Sequence, residues 1–195
     1  MIHYGTAAVG EHQIFYREAG DPNQTTLLLL HGFPSSSHMF RNLIPLLSDR
    51  FHIVAPDVPG FGFSQSPPRS QFKYTFDNLA KAIGAFTETI DLKRYALYVF
   101  DYGAPVGFRL AVAHPERVTA IVSQNGNAYE EGLSDAWDPI RRYWAEPTTK
   151  NREVVKGIFK LRSWRRLRKA EARKIGSHDV EAIRKQWDQI AEHVR

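Results

Sequence analysis

Cysteine is absent from all 195 residues, which excludes disulfide staples and thiolate metal sites. No apolar run approaches the length that would cross a bilayer. The start, MIHYGTAAVGEHQIFYREAG, has neither a basic opening nor an apolar core ahead of a small-residue cleavage site, so no secretory signal is read. Together these absences predict a cytoplasmic protein without a membrane partner. Internal repeats and low-complexity tracts are also missing, which excludes solenoids and collagen-like or disordered chains. What remains has the length and apolar fraction of one principal globular domain with a substantial core.

Positive charge is unevenly spread. Residues 151–195 hold 13 Lys/Arg and 6 Asp/Glu, leaving 13 and 15 for residues 1–150. The densest stretch, KLRSWRRLRKAEARK, reads as a solvated helix face rather than a nucleic-acid surface.

Along the chain, residues 2–9 and 12–18 predict two strands joined at Gly10-Glu11, an antiparallel hairpin. TTLLLLHG, FHIVAPDVPG, RYALYVF and VTAIVSQN are short apolar runs of the kind buried on both faces of a parallel sheet. Between them lie helical patterns: one with Phe40, Leu43, Ile44 and Leu47 at helical spacing, one from Thr75 as cap with a stripe of Leu79, Ile83, Phe86 and Ile90, and GAPVGFRLAVAHPERV. This alternation predicts an α/β fold, a mostly parallel sheet flanked by helices. Residues 1–125 form the core in this reading, 126–160 a cap-like helical segment, and 161–195 a basic helical tail. In the tail, Val180, Ile183, Trp187, Ile190 and Val194 mark an amphipathic helix over 177–194.

Chemistry concentrates at VFDYGA. Strand, sharp turn and helix lift one side chain clear of a sheet, and small residues such as Gly103 and Ala104 let the helix pack back. Asp101 holds the lifted position. A carboxylate there can attack an alkyl carbon, displacing halide or opening an epoxide, to give an ester that water must cleave. Oxyanion donors would be the main-chain N–H groups of Tyr102 and of Phe33 in HGFP. The competing reading is that Asp101 caps the helix, since Asp is a preferred N-cap.

LLLLHGFPSSSHMFRNLIPLL, VAPDVPGFGFS, YALYVFDYGAPVGFRLAVAHPERV and AIVSQNGNA resemble the α/β-hydrolase fold family, in its aspartate-nucleophile branch of epoxide hydrolases and haloalkane dehalogenases. The resemblance covers roughly residues 1–150. It implies Asp101 as nucleophile, Phe33 and Tyr102 at the oxyanion positions, a small-molecule substrate, no cofactor and no metal. Tyr143 in the cap-like segment would donate to an epoxide oxygen, with Trp137 and Trp144 lining the pocket; aromatics so spaced also serve simply to pack a cap. Haloalkane dehalogenases typically carry asparagine and tryptophan where this chain has Phe33 and Tyr102, so epoxide or ester-like substrates are expected ahead of haloalkanes.

After Glu153 neither a buried strand nor the family's catalytic histidine motif is found, so the C-terminal part of the fold is read as missing or replaced. His31 belongs to the oxyanion turn; His3, His12, His38, His52 and His114 lie at positions the family does not use for catalysis. His178 and His193 remain, and both read as surface helix residues. Ester release is therefore expected to be impaired. A catalytically inactive binding or scaffold module, and a truncated or engineered chain, stay open as alternatives. VTAIVSQN would be a sheet edge, and either a tail helix covering it or self-association through that edge or the C-terminal helix is expected.

Overall fold

The computed structural model describes residues 1–158. They fall into two compact units, divided between Ala128 and Tyr129.

In the first unit the strands are β1 (His3–Val9), β2 (His12–Ala19), β3 (Thr26–Leu30), β4 (His52–Pro56), β5 (Tyr95–Phe100) and β6 (Val118–Gln124). Their order in one sheet is β1-β2-β4-β3-β5-β6. The hairpin β1/β2 is antiparallel and joins β4 antiparallel, while β4, β3, β5 and β6 run parallel. The fold is the α/β arrangement that the alternating pattern predicts.

β3 sits between two parallel neighbours, and its four leucines are at most 1% exposed. A continuous apolar run is what such a strand requires. On one face Leu28, Leu30, Val54, Leu97 and Val99 pack with Ile83 and Phe86 of α2 (Phe76–Thr89) and with Val106 and Leu110 of α3 (Gly103–Ala113). α2 starts where Thr75 Oγ1 accepts from Asn78 N–H at 3.2 Å, and Asp77 in the first turn complements its dipole. Each large side chain buried here contributes about 1.5–3 kcal/mol.

Two helical expectations are corrected. The stretch around residues 37–47 is not one helix but a short tight turn, Ser37–Phe40, followed by α1 (Leu43–Leu47). Pro45 is the reason: it has no N–H for the carbonyl of Arg41, and its ring clashes with that carbonyl in a continuous helix. α3 stops at Ala113 rather than running through HPERV, because Pro115 disfavours helical backbone at His114, which adopts φ −138° and ψ 62°. Among the described residues β6 is an outer strand, less buried than β3 to β5. The helix expected over 177–194, with His178 and His193, lies outside the described residues.

The second unit contains α4 (Asp138–Ala145) and α5 (Thr149–Ile158), which pack on each other. Pro139 stands in the first turn of α4, where its missing N–H costs nothing. Among the described residues no helix is long and apolar enough to cross a membrane.

Candidate active site

β5 hands over to α3 through Asp101, whose backbone lies in the left-handed region at φ 50°. Aspartate is one of the few side chains that enters this region, at a cost on the order of 1 kcal/mol. The turn is so close to β3 that a Cβ on Gly103 would lie 2.2 Å from the Leu30 carbonyl oxygen. On the β3 side, a Cβ on Gly32 would come 2.5 Å from the Cβ of Asp101. With both atoms absent, the two turns meet.

Their meeting point is one carboxylate oxygen. Phe33 N–H donates to Asp101 Oδ1 at 2.8 Å, and Tyr102 N–H donates to the same atom at 2.6 Å. Among the described residues no hydrogen bond reaches Oδ2. This is not helix-cap geometry: the N-cap residue of α3 is Tyr102, and the carboxylate does not accept from the second or third helical N–H. Asp101 is half-buried, and so are Phe33, Tyr102, Phe61 and Phe76 around it. The rings touch in series, Phe61 to Phe33 at 6.2 Å, Phe33 to Tyr102 at 5.3 Å and Tyr102 to Phe76 at 5.1 Å. Burial, reinforced by the Asp101 charge, pushes the Tyr102 phenol above its ordinary pKa.

Behind this turn, His31 is 1% exposed and fully used. Val58 N–H donates to Nε2 at 3.0 Å, so Nε2 is an acceptor and Nδ1 carries the hydrogen toward Gly32 O at 3.1 Å. Burial lowers its pKa, although the Gly32 carbonyl, Asp57 and Asp101 all pull the other way. The ring is therefore a neutral strut between the loops after β3 and β4, with no lone pair left for water.

Asp57, one residue past β4, anchors the second of those loops. It is 0% exposed. Ser37 N–H and Oγ–H both donate to its Oδ1, and Phe63 N–H donates to Oδ2 at 2.9 Å. Arg17 lies 3.9 Å from the carboxylate and donates to Ser37 Oγ. Sequence reading gave Asp57, Arg17 and Ser37 no role. An aspartate directly after a buried strand and ahead of a glycine-rich loop was the available signal.

Of the residues singled out from the sequence, Asp101, Phe33 and Tyr102 come together in the first unit. Trp137, Tyr143 and Trp144 belong to the second, where Tyr143 and Trp144 lie on α4, Trp137 directly precedes it, and the two indole rings stand 6.3 Å apart. Among the described residues no group of three or more His, Asp or Glu is placed to hold a metal ion.

Comparison with known proteins adds an independent line. An uncharacterized hydrolase of Saccharomyces cerevisiae is 57% identical over 133 residues, which is 68% of this chain and 45% of that one. Haloalkane dehalogenase 2 of Mycobacterium tuberculosis is 41% identical over 99 residues, covering 51% of this chain and 34% of that protein. The solved structure of a Vigna radiata epoxide hydrolase variant superposes with a TM-score of 0.58 at 30% identity, over 63% of this chain and 38% of that one. The chain thus spans less than half the length of these relatives. The profile of the alpha/beta hydrolase fold matches residues 25–179, and with that match over most of its length the chain belongs to the α/β-hydrolase fold family.

Proposed function

We propose that this hydrolase opens epoxides by nucleophilic attack of Asp101. The observation that carries the reading is the unequal treatment of the two carboxylate oxygens: Oδ1 is held by two main-chain N–H groups, and Oδ2 accepts no hydrogen bond among the described residues. Oδ2 bonds to an epoxide carbon, the carbon–oxygen bond of the ring breaks, and the released alkoxide takes a proton from water. The product is an ester in which Oδ1 is the carbonyl oxygen. When water adds to the ester carbon, negative charge develops on Oδ1, where Phe33 N–H and Tyr102 N–H already point.

The same bonds argue against halide as the leaving group. Both N–H groups are engaged by Asp101, and a phenylalanine side chain offers no donor to a departing anion. The aromatic row of Phe61, Phe33, Tyr102 and Phe76 gives a neutral apolar substrate a surface to rest on.

Water attack on the ester requires a base. His31 cannot serve, since both ring nitrogens are bonded. Loss of general-base help slows hydrolysis by about a hundredfold to ten-thousandfold. Among the described residues His31 is the one histidine that feels the Asp101 charge, and it is engaged, so the alkylated form is expected to accumulate. Intact-protein mass spectrometry after exposure to small epoxides tests this: a stoichiometric adduct on Asp101 with little diol is expected. No adduct with any epoxide or alkyl halide would leave Asp101 without a chemical role, and sustained turnover abolished by His178→Ala or His193→Ala would place the base in the tail.

A further inference from the structure

A second set of polar side chains lies at the other end of the sheet, far from the proposed role of Asp101 and independent of it. Thr26 and His52 are the first residues of β3 and β4 and stand opposite each other in that parallel pair. Glu18 is opposite Val54 in the antiparallel pair of β2 and β4, two residues along from His52, so alternation puts all three on one face. His52 Nε2 is 2.7 Å from Glu18 Oε1, and His52 Nδ1 is 3.0 Å from Thr26 Oγ1.

An ionised carboxylate can only accept, so the ring hydrogen sits on Nε2. In the neutral ring Nδ1 then presents its lone pair, and the Thr26 hydroxyl donates to it. A hydroxyl bonded to a base, itself oriented by an acid, is the arrangement that activates a weak oxygen nucleophile. Thr26 and His52 are 8% and 4% exposed, while Glu18 reaches the rim. The three line a cavity of about 570 Å³, shared with Gln24, Arg94 and Thr119. Thr119 Oγ1 is buried without a hydrogen-bond partner among the described residues. A simple tie between strands requires neither an adjoining cavity nor a spare hydroxyl beside it.

We propose that Thr26 is a second nucleophile, with His52 as its base and Glu18 as the positioning acid, and that it accepts acyl groups from small activated esters. Thr26 Oγ bonds to the acyl carbon, its proton passes to His52 Nδ1, and the leaving oxygen departs with the electrons of its bond to that carbon and takes that proton from His52, which frees the imidazole again. Water, deprotonated by His52, then cleaves the threonyl ester, releasing the carboxylic acid and restoring the hydroxyl.

The test is peptide-resolved mass spectrometry of the full chain treated with p-nitrophenyl acetate, in an Asp101→Asn background that removes the carboxylate nucleophile proposed above. One acetyl group on Thr26 is expected. Labelling should be lost in Thr26→Val, kept in Thr26→Ser, and slowed about a hundredfold or more in His52→Gln. Glu18→Gln, at the rim, should slow it at least about tenfold while leaving the melting temperature unchanged, which a purely structural tie would not do. Acetylation confined to lysines and the amino terminus would overturn the proposal, and so would a Thr26 adduct whose rate ignores His52→Gln.

Discussion

Two aspartates follow the carboxyl ends of parallel strands on either side of β3, Asp57 after β4 and Asp101 after β5, and the molecule treats them in opposite ways. Asp57 is wholly buried and accepts at both oxygens, with the Arg17 guanidinium near it. Asp101 is half-buried and, among the described residues, accepts at one oxygen only. A carboxylate saturated on all sides lowers the energy of the fold and has nothing to offer a substrate. One that is held at a single oxygen is oriented without being used up. The difference is made by the partners' geometry, since both residues are aspartate at a strand end.

Removing each carboxylate should therefore damage a different property. Asp101→Asn keeps a side chain that tolerates left-handed backbone and should leave the melting temperature nearly unchanged. Its rate of adduct formation with an epoxide should fall by at least about a thousandfold, as expected for loss of a nucleophile. Mass spectrometry beside a thermal melt checks both halves. A large drop in melting temperature would mean that Asp101 is a structural residue like Asp57.

Asp57→Ala should do the reverse. It strips the acceptor from Ser37 N–H, Ser37 Oγ–H and Phe63 N–H, and leaves the Arg17 charge buried without its counter-ion. Breaking a buried pair in this way typically costs about 3–5 kcal/mol. Urea denaturation measures that loss, and molecules that remain folded should still form the Asp101 adduct. Arg17 has a second support, with its guanidinium 5.2 Å from the Phe15 ring and 5.5 Å from Tyr4. Arg17→Met, which keeps much of that packing, should accordingly cost less than Asp57→Ala.

The contrast also marks what the sequence could convey. The sheet was legible because LLLL, HIVAP and YALYVF are apolar runs too short for helices and too continuous for half-exposed strands. The turn at Asp101 was legible because Gly103 and Ala104 follow a strand at the spacing a tight strand-to-helix turn requires. The saturation of Asp57 was not, since its partners Ser37 and Arg17 are 20 and 40 positions away and no local pattern ties them to it. For the same reason Thr26, His52 and Glu18 looked like unrelated strand residues until the register brought them face to face. The break at Pro45 was visible in principle, but helical spacing on either side of it masked the missing N–H.

His31 joins the two aspartates and gives the mildest test of their difference. Burial holds its pKa below the ordinary 6.5, while Asp57 and Asp101 each pull it back up. In the unfolded chain the ring takes a proton near pH 6.5, and in the folded protein it does so only at lower pH. Between those two values the unfolded state binds more protons, so stability falls as pH drops below about 6.5 and is fully present above it. Urea titrations at a series of pH values should show this slope, and His31→Gln should flatten it. Asp101→Asn removes one of the charges that raise the His31 pKa, so it should extend the slope to lower pH, with a matching downward shift in the pH midpoint of the imidazole NMR titration. If that midpoint stays where it was, Asp101 does not act on His31 through its charge, and the neutral strut is set by burial, its two hydrogen bonds and Asp57.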